Sequence, residues 1–253
     1  MEELEKLANF EQFQRIRLIL GDEKFFKLMN SSVTIIGLGA VGGYVTEALS
    51  RSGIMKLNII DHDVVSESNI NRQIFALHST VGIKKTEVAL SRIKDINPYA
   101  EVNAYDLFIN KDTVHKVFET KPDIVIDAID SLNPKFEVLK MAYDLDYPII
   151  SSMGAALKQD GFKVKQAYLK DTKNCPLAKM LRKRFAKFKI KPKIPCIYSD
   201  EVLDKENMAI IEPETNDQLA SGRVRNIMGS LPTITGIFGL QIANYVINYL
   251  TSR

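Results

Sequence analysis

The chain has 253 residues, 45% of them hydrophobic and 26% charged, which fits an ordinary globular protein with a sizeable core and excludes fibrous, low-complexity and disordered classes. A formal charge of +3 does not by itself mark a nucleic-acid binder, because phosphate binding follows local clusters of Lys and Arg rather than the total. Two cysteines, Cys175 and Cys196, without a CxxC pair, exclude a disulfide framework and a zinc or dithiol centre; with an N-terminus lacking a signal-peptide pattern, they make a cytoplasmic location the expectation.

Residues 1–30 read as a helical preamble, with Phe10, Phe13, Ile16, Leu20, Phe25, Phe26 and Leu28 spaced to pack on something. The β-branched run Ser32-Val33-Thr34-Ile35-Ile36 predicts a strand that ends in a glycine cluster. Val41, Val45, Ala48 and Leu49 predict a helix over residues 41–52. A second strand, residues 56–60, ends at Asp61; an amphipathic helix over 81–96 stops at Asn97-Pro98; a third strand covers 102–106. Pro122-Asp123 introduces the buried-strand signature IVIDAID, followed by a helix over 134–144 and a strand over 147–152. This alternation predicts βαβ crossovers, so the expected fold class is α/β: a Rossmann-like, mostly parallel sheet with helices on both faces, spanning residues 31–153.

After Gly154 the rhythm changes. Residues 162–169 alternate like an antiparallel strand, 176–187 form a basic helix and 194–199 one more strand, so a smaller antiparallel C-terminal substrate lobe is expected to continue the fold over residues 154–253. The acidic stretch that begins at Asp200 lacks periodicity, and a mobile crossover loop is expected at about residues 200–225. Residues 231–250 are uncharged over a membrane-span length. Gln241, Asn244, Asn248, Pro232 and Gly236 make a buried helix on the sheet the better reading, with membrane contact the lesser alternative.

Gly37-Leu38-Gly39-Ala40-Val41-Gly42 fits GxGxxG between a predicted strand and helix, with an acid, Asp61, nineteen residues after the third glycine. Glycines there let a phosphate approach the helix N-terminus while the carboxylate takes ribose hydroxyls, so Gly37, Gly39, Gly42 and Asp61 are candidate nucleotide-binding residues. The fingerprint leaves NAD, FAD and ATP open.

Asp61-His62-Asp63, Ser68-Asn69-Ile70-Asn71-Arg72-Gln73, Val81-Gly82-Ile83-Lys84-Lys85 and Asp127-Ala128-Ile129-Asp130 decide among them. In these segments the chain resembles the ubiquitin-activating-enzyme-like (ThiF/MoeB/HesA) superfamily, whose members adenylate a carboxylate with ATP. Attack on an α-phosphate needs Arg and Lys charges on the phosphates and a carboxylate for Mg²⁺. By resemblance, Asp61 binds the ribose, Asn71, Arg72 and Lys85 contact the phosphates, and Asp130 organises the metal. Lys84 is the weaker rival of Lys85. Arg15 resembles an arginine lent across a homodimer to the partner's ATP site, with Arg17 its rival, and Asp63 is either near the nucleotide or a cap.

Ser151-Ser152-Met153-Gly154-Ala155, Cys175-Pro176-Leu177-Ala178-Lys179 with the basic helix, Ile197-Tyr198-Ser199 and Arg51-Ser52-Gly53 narrow the resemblance. They are similar to the tRNA threonylcarbamoyladenosine dehydratase family, from about residue 10 to the end. Ala156 stands where relatives tend to have glycine, and residues 205–225 match poorly. The resemblance implies an ATP-dependent tRNA-modification ligase that adenylates the threonylcarbamoyl carboxylate and closes an oxazolone ring, with AMP leaving. It also implies a homodimer; a non-catalytic nucleotide-binding scaffold that partners a sulfur-transfer system is a separate, lesser alternative.

Between Lys179 and Lys193 lie eight basic residues and no acid, and Arg182, Lys183, Arg184 and Lys187 are the candidate contacts to the tRNA anticodon-loop backbone. Cys175 and Cys196 are expected to be structural, and His62, His78 and His115 have no metal-ligand spacing. Two rival functions stand beside the first: an adenylyltransferase of a ubiquitin-like sulfur-carrier protein, and an NAD-dependent oxidoreductase.

Overall fold

The computed structural model describes residues 10–203 and 228–252. Most of the loop expected at residues 200–225, and the start of the helical preamble, lie outside them. The helices are α1 (Gln14–Leu20), α2 (Asp22–Asn30), α3 (Gly42–Arg51), α4 (Lys85–Ile96), α5 (Lys116–Glu119), α6 (Leu132–Asp144), α7 (Pro176–Ala186) and α8 (Pro232–Thr251). The strands are β1 (Ser32–Ile36), β2 (Lys56–Asp61), β3 (Glu101–Asp106), β4 (Ile124–Asp127), β5 (Ile149–Ser152), β6 (Val164–Tyr168) and β7 (Pro195–Ser199).

They form one seven-stranded sheet in the order β3-β2-β1-β4-β5-β7-β6. Every pairing is parallel except β6 with β7, and β7 pairs with β5 through Ser151–Cys196 and Ser152–Ile197. The antiparallel pair is therefore an extension of the parallel sheet itself. Alternate residues of the central strands feed two cores. Val33, Ile35, Ile124 and Ile126 meet α3, α4 and α8 on one face, while Ile36, Ile60 and Val125 meet α5, α6 and α7 on the other. Full burial on both faces is why these strands read as continuous apolar runs. Strand order reverses between β1 and β4, which opens a crevice at their C-terminal ends.

The C-terminal helix lies on the sheet as the polar residues within it required. Ile234, Phe238, Ile242, Val246 and Leu250 form a buried stripe at four-residue spacing, while Asn244 and Asn248 are exposed. Each such side chain contributes roughly 1.5–3 kcal/mol on burial. No helix among the described residues is long and apolar enough to cross a membrane.

Most boundaries differ from expectation by two residues or fewer, and the largest difference is at the start of α4. The helix predicted over 81–96 begins only at Lys85, because the backbone before it bonds across to residues 63–65 instead of up a helix. Val65 N–H donates to Ile83 O and Gly82 N–H to Val65 O, both at 2.8 Å, and Lys85 N–H donates to Asp63 O at 3.0 Å. Gly82, at φ +86°, supplies the left-handed turn that this requires. The N-terminus of α4 is thereby held beside the end of β2.

Candidate active site

The glycine loop joins β1 to α3 under tight steric limits. A Cβ on Gly37 would stand 2.9 Å from the Ala128 carbonyl oxygen, and one on Gly42 would stand 1.7 Å from the Gly37 carbonyl oxygen. Gly37 also has φ +89°. A Cβ on Gly39 would make only an ordinary contact, with Gln73 Nε2 at 3.8 Å. Two of the glycines therefore shape the loop, and the third leaves its backbone bare for a ligand at the start of α3.

Asp61, buried at the end of β2, holds this loop: Leu38 N–H donates to its Oδ2 at 2.6 Å and Asp63 N–H to its Oδ1 at 2.9 Å. A carboxylate with two bonded N–H groups retains lone pairs for ribose hydroxyls. Lys85 is 5% exposed, and its Nζ donates to Asp63 Oδ2 at 2.8 Å. Asp63 is thus the partner that aims Lys85. Lys84 points outward and pairs with Asp106 near the surface. One donor atom from each of Asp61, His62 and Asp63 falls within 4.8 Å of the others, closer than their sequence spacing promised. Both carboxylates are already engaged by the loop and by Lys85.

The segment carrying Asn71 and Arg72 lies against the same loop. Ile74 would meet a Cβ on Gly43 at 2.9 Å. Arg72 Nη1 donates to Ser68 O at 2.8 Å and to Asn71 Oδ1 at 2.7 Å, and Asn71 Nδ2 donates to Ser230 O at 3.3 Å. Asp130 follows β4 on the loop whose Ala128 abuts Gly37; its carboxylate is exposed and accepts from Ser131 Oγ at 3.1 Å. Five segments separated in sequence thus converge on the crevice between β1 and β4.

Beneath Asp130 lies a group that the sequence reading did not single out. Lys135 and Asp127, both fully buried, form an ion pair at 2.6 Å. Lys135 Nζ also donates to Ser151 Oγ at 3.2 Å and to Ser152 O at 2.8 Å, and Ser151 Oγ donates to Asp127 Oδ2 at 2.6 Å. Ile129 N–H closes the set on Asp127 Oδ1 at 3.1 Å. One ammonium therefore ties the Asp130 loop to the end of β5. A signal for it existed: Lys135 occupies the helical stripe of Val138, Leu139 and Ala142, where a charge must be paired. Lys158, 2% exposed, was also missed; its Nζ donates to the Asn174 and Glu201 carbonyls, and burial holds its pKa below the usual lysine value.

The other candidates are dispersed. Arg15 is exposed on α1, and Arg17 pairs with Asp22 at 2.5 Å. On α7, Lys183 is exposed, as is Lys187 just past the helix end. Arg182 is turned inward to Thr172 Oγ1 and Leu169 O, and Arg184 donates to Asn133 Oδ1 with its guanidinium 4.4 Å from the Phe136 ring. Both cysteines are buried, and burial pushes the Cys196 thiol far above its ordinary pKa.

A tRNA threonylcarbamoyladenosine dehydratase of Bacillus subtilis is 35% identical over 235 residues, which cover 93% of this chain and 91% of that protein. The crystal structure of E. coli tRNA N6-threonylcarbamoyladenosine dehydratase in complex with ATP matches with a TM-score of 0.84 at 28% identity, over 96% of this chain and 94% of that one. An adenylyltransferase and sulfurtransferase of Drosophila yakuba is 34% identical over 136 residues, 53% of this chain and 29% of that protein. The ThiF family model matches residues 11–253, and the chain belongs to the ThiF family.

Proposed function

We propose that this protein is an ATP-dependent dehydratase that cyclises N6-threonylcarbamoyladenosine in tRNA. The observation that carries the reading is the crevice itself, where a bare glycine loop, the buried Lys85 and the segments bearing Arg72 and Asp130 meet. Similarity to dehydratases over nearly the whole chain supports the substrate, whereas similarity to the adenylyltransferase and sulfurtransferase covers half of it. An NAD-dependent oxidoreductase would leave Lys85 and Arg72 without work.

In this reading Gly39 and the first N–H groups of α3 receive phosphate oxygens, and Asp61 accepts the ribose hydroxyls. Lys85 and Arg72, with Asn71, balance the charge that grows as the threonylcarbamoyl carboxylate attacks the α-phosphate and pyrophosphate leaves. Mg²⁺, when bound, would neutralise the departing pyrophosphate; Asp130, an exposed hard-oxygen donor at a strand end, fits it. The ureido oxygen then attacks the activated carbonyl, the ureido nitrogen loses its proton and AMP leaves, so one water is lost overall. Nucleophile and electrophile belong to one molecule, so holding them together replaces an enzyme nucleophile.

Lys183 and Lys187 contact the RNA backbone, joined by Lys179. A second copy covers α1, where Leu18 and Ile19 are 79% and 83% exposed beside Arg15, and that copy receives Arg15 at its own ATP site. A tRNA substrate supports a cytoplasmic location.

Incubation with ATP, Mg²⁺ and threonylcarbamoyl-modified tRNA, followed by nucleoside mass spectrometry, tests the reading. Loss of one water per modified adenosine with stoichiometric AMP and pyrophosphate is the expected result. ATP turnover only with a carrier protein's C-terminal carboxylate would replace this reading with the adenylyltransferase.

A further inference from the structure

The basic segment does not stop at the catalytic edge. Its start is at that edge: a Cβ on Gly154, just past β5, would meet Cys175 Sγ at 3.8 Å, and Asn174 Nδ2 donates to Asp200 O at 2.7 Å. Beyond α7 the chain descends along α6, where Phe188 stacks on Phe136 with ring centroids 5.8 Å apart and Lys140 Nζ lies 5.7 Å from the Phe188 centroid. It reaches the opposite edge of the sheet where β7 begins.

At that edge, against the N-terminal ends of β4, β5 and β7, lies a cavity of about 630 Å³. This is within the roughly 300–1,000 Å³ typical of binding sites. It is lined by Tyr143 at the end of α6, Tyr147 between α6 and β5, Tyr245 and Tyr249 from α8, and Lys191 and Lys193 from the basic segment. Tyr147 is fixed there by donating its hydroxyl to the Pro122 carbonyl, and Tyr245 and Tyr249 are parallel within 10°. Asp146 also lines it, as a single acid against two lysines. A strand's length separates this cavity from the glycine loop, on the order of 15 Å.

Aromatic faces beside ammonium groups recognise one chemistry well: a base that can stack together with its phosphate. Only an unpaired nucleotide offers a free base face, since a helical stem keeps its bases stacked. Lys179, Lys183 and Lys187 recur every four residues, a spacing that puts them on one side of α7, and all are exposed, so positive charge leads from the catalytic edge to the cavity.

We propose that this cavity is a second RNA site, which takes an unpaired nucleotide of the tRNA outside the anticodon loop, its phosphate on Lys191 and Lys193 and its base on the tyrosines. The proposal rests on the dehydratase reading and adds a specificity for whole tRNA, held at two points on opposite edges of the sheet.

The test compares modified full-length tRNA with a modified anticodon stem-loop as substrates of the wild type, of Lys191→Glu/Lys193→Glu and of Tyr143→Ala, with ATP binding and gel-filtration size as controls for folding and assembly. The wild type is expected to favour full-length tRNA by about tenfold or more in kcat/KM. Both variants should lose that preference, and the charge reversal should flatten the salt dependence of tRNA binding. Equal losses on the two substrates, an unchanged preference in the variants, or no preference in the wild type would each overturn the second site and leave the dehydratase standing. A charge reversal that turns a dimer into monomers would overturn it in favour of a subunit contact. A wild type that converts neither substrate would remove both readings together.

Discussion

Asp127 is fully buried and Asp130 exposed, although only two residues separate them. Asp127 accepts from Lys135, Ser151 and Ile129 and holds the loop, which leaves the Asp130 carboxylate exposed at its tip. Asp130→Asn should lower turnover by about 100-fold or more and leave the melting temperature nearly unchanged, as single-turnover rates and thermal unfolding would show. Lys135→Met should behave in the opposite way at first sight. It strands a buried carboxylate, at a cost of about 3–5 kcal/mol, and adding Asp127→Leu should recover most of that in denaturant titrations. Loss of stability that the second substitution does not restore would mean that the ion pair is not the origin. Asp130 was singled out by resemblance of its Asp127-Ala128-Ile129-Asp130 segment, and its exposure at the end of β4 is what the structure adds. Lys135 was not, because a lysine in a helical stripe acquires meaning only once an acid is placed opposite it.

At the scale of the element, the glycine loop separates shape from binding. Gly42→Ala puts a methyl 1.7 Å from a backbone oxygen and should lower the melting temperature together with ATP affinity, whereas Gly39→Ala makes only an ordinary contact with Gln73 and should weaken ATP binding alone. Calorimetric ATP titration beside thermal unfolding distinguishes the two. The N-terminus of α4 makes a similar distinction between neighbouring lysines. Lys85→Ala should abolish adenylate formation, while Lys84→Ala, which removes an exposed ion pair, should change stability by no more than about 1 kcal/mol and retain activity. On the basic segment, Lys183→Glu/Lys187→Glu should weaken tRNA binding without destabilising the protein. Arg184→Glu should destabilise it as well, because its guanidinium packs over Phe136. Charge alone does not mark which basic residues of a helix are free to bind; the contacts of each one do.

The candidate site lies where strand order reverses, so the crevice is a consequence of topology. α1 buries none of its residues, and Leu18 and Ile19 remain exposed. If a second copy covers them and receives Arg15, co-expressed Arg15→Ala and Asp130→Asn chains should form mixed dimers with one complete site. Such mixtures should recover a substantial part of the activity that each variant lacks alone. No recovery in mixed dimers verified by mass spectrometry would place Arg15 outside the site.

The amino-acid order by itself determined the α/β class, the glycine loop with its acid, and the burial of the last helix, since each depends on periodicity or on residues close together along the chain. Asp63 as the partner of Lys85, the late start of α4, the ion pair beneath Asp130 and the inward turn of Arg182 and Arg184 were decided only by the tertiary structure. Each of these joins backbone or side chains from different elements, and such partners are set by sheet order and helix packing, which local pattern does not encode.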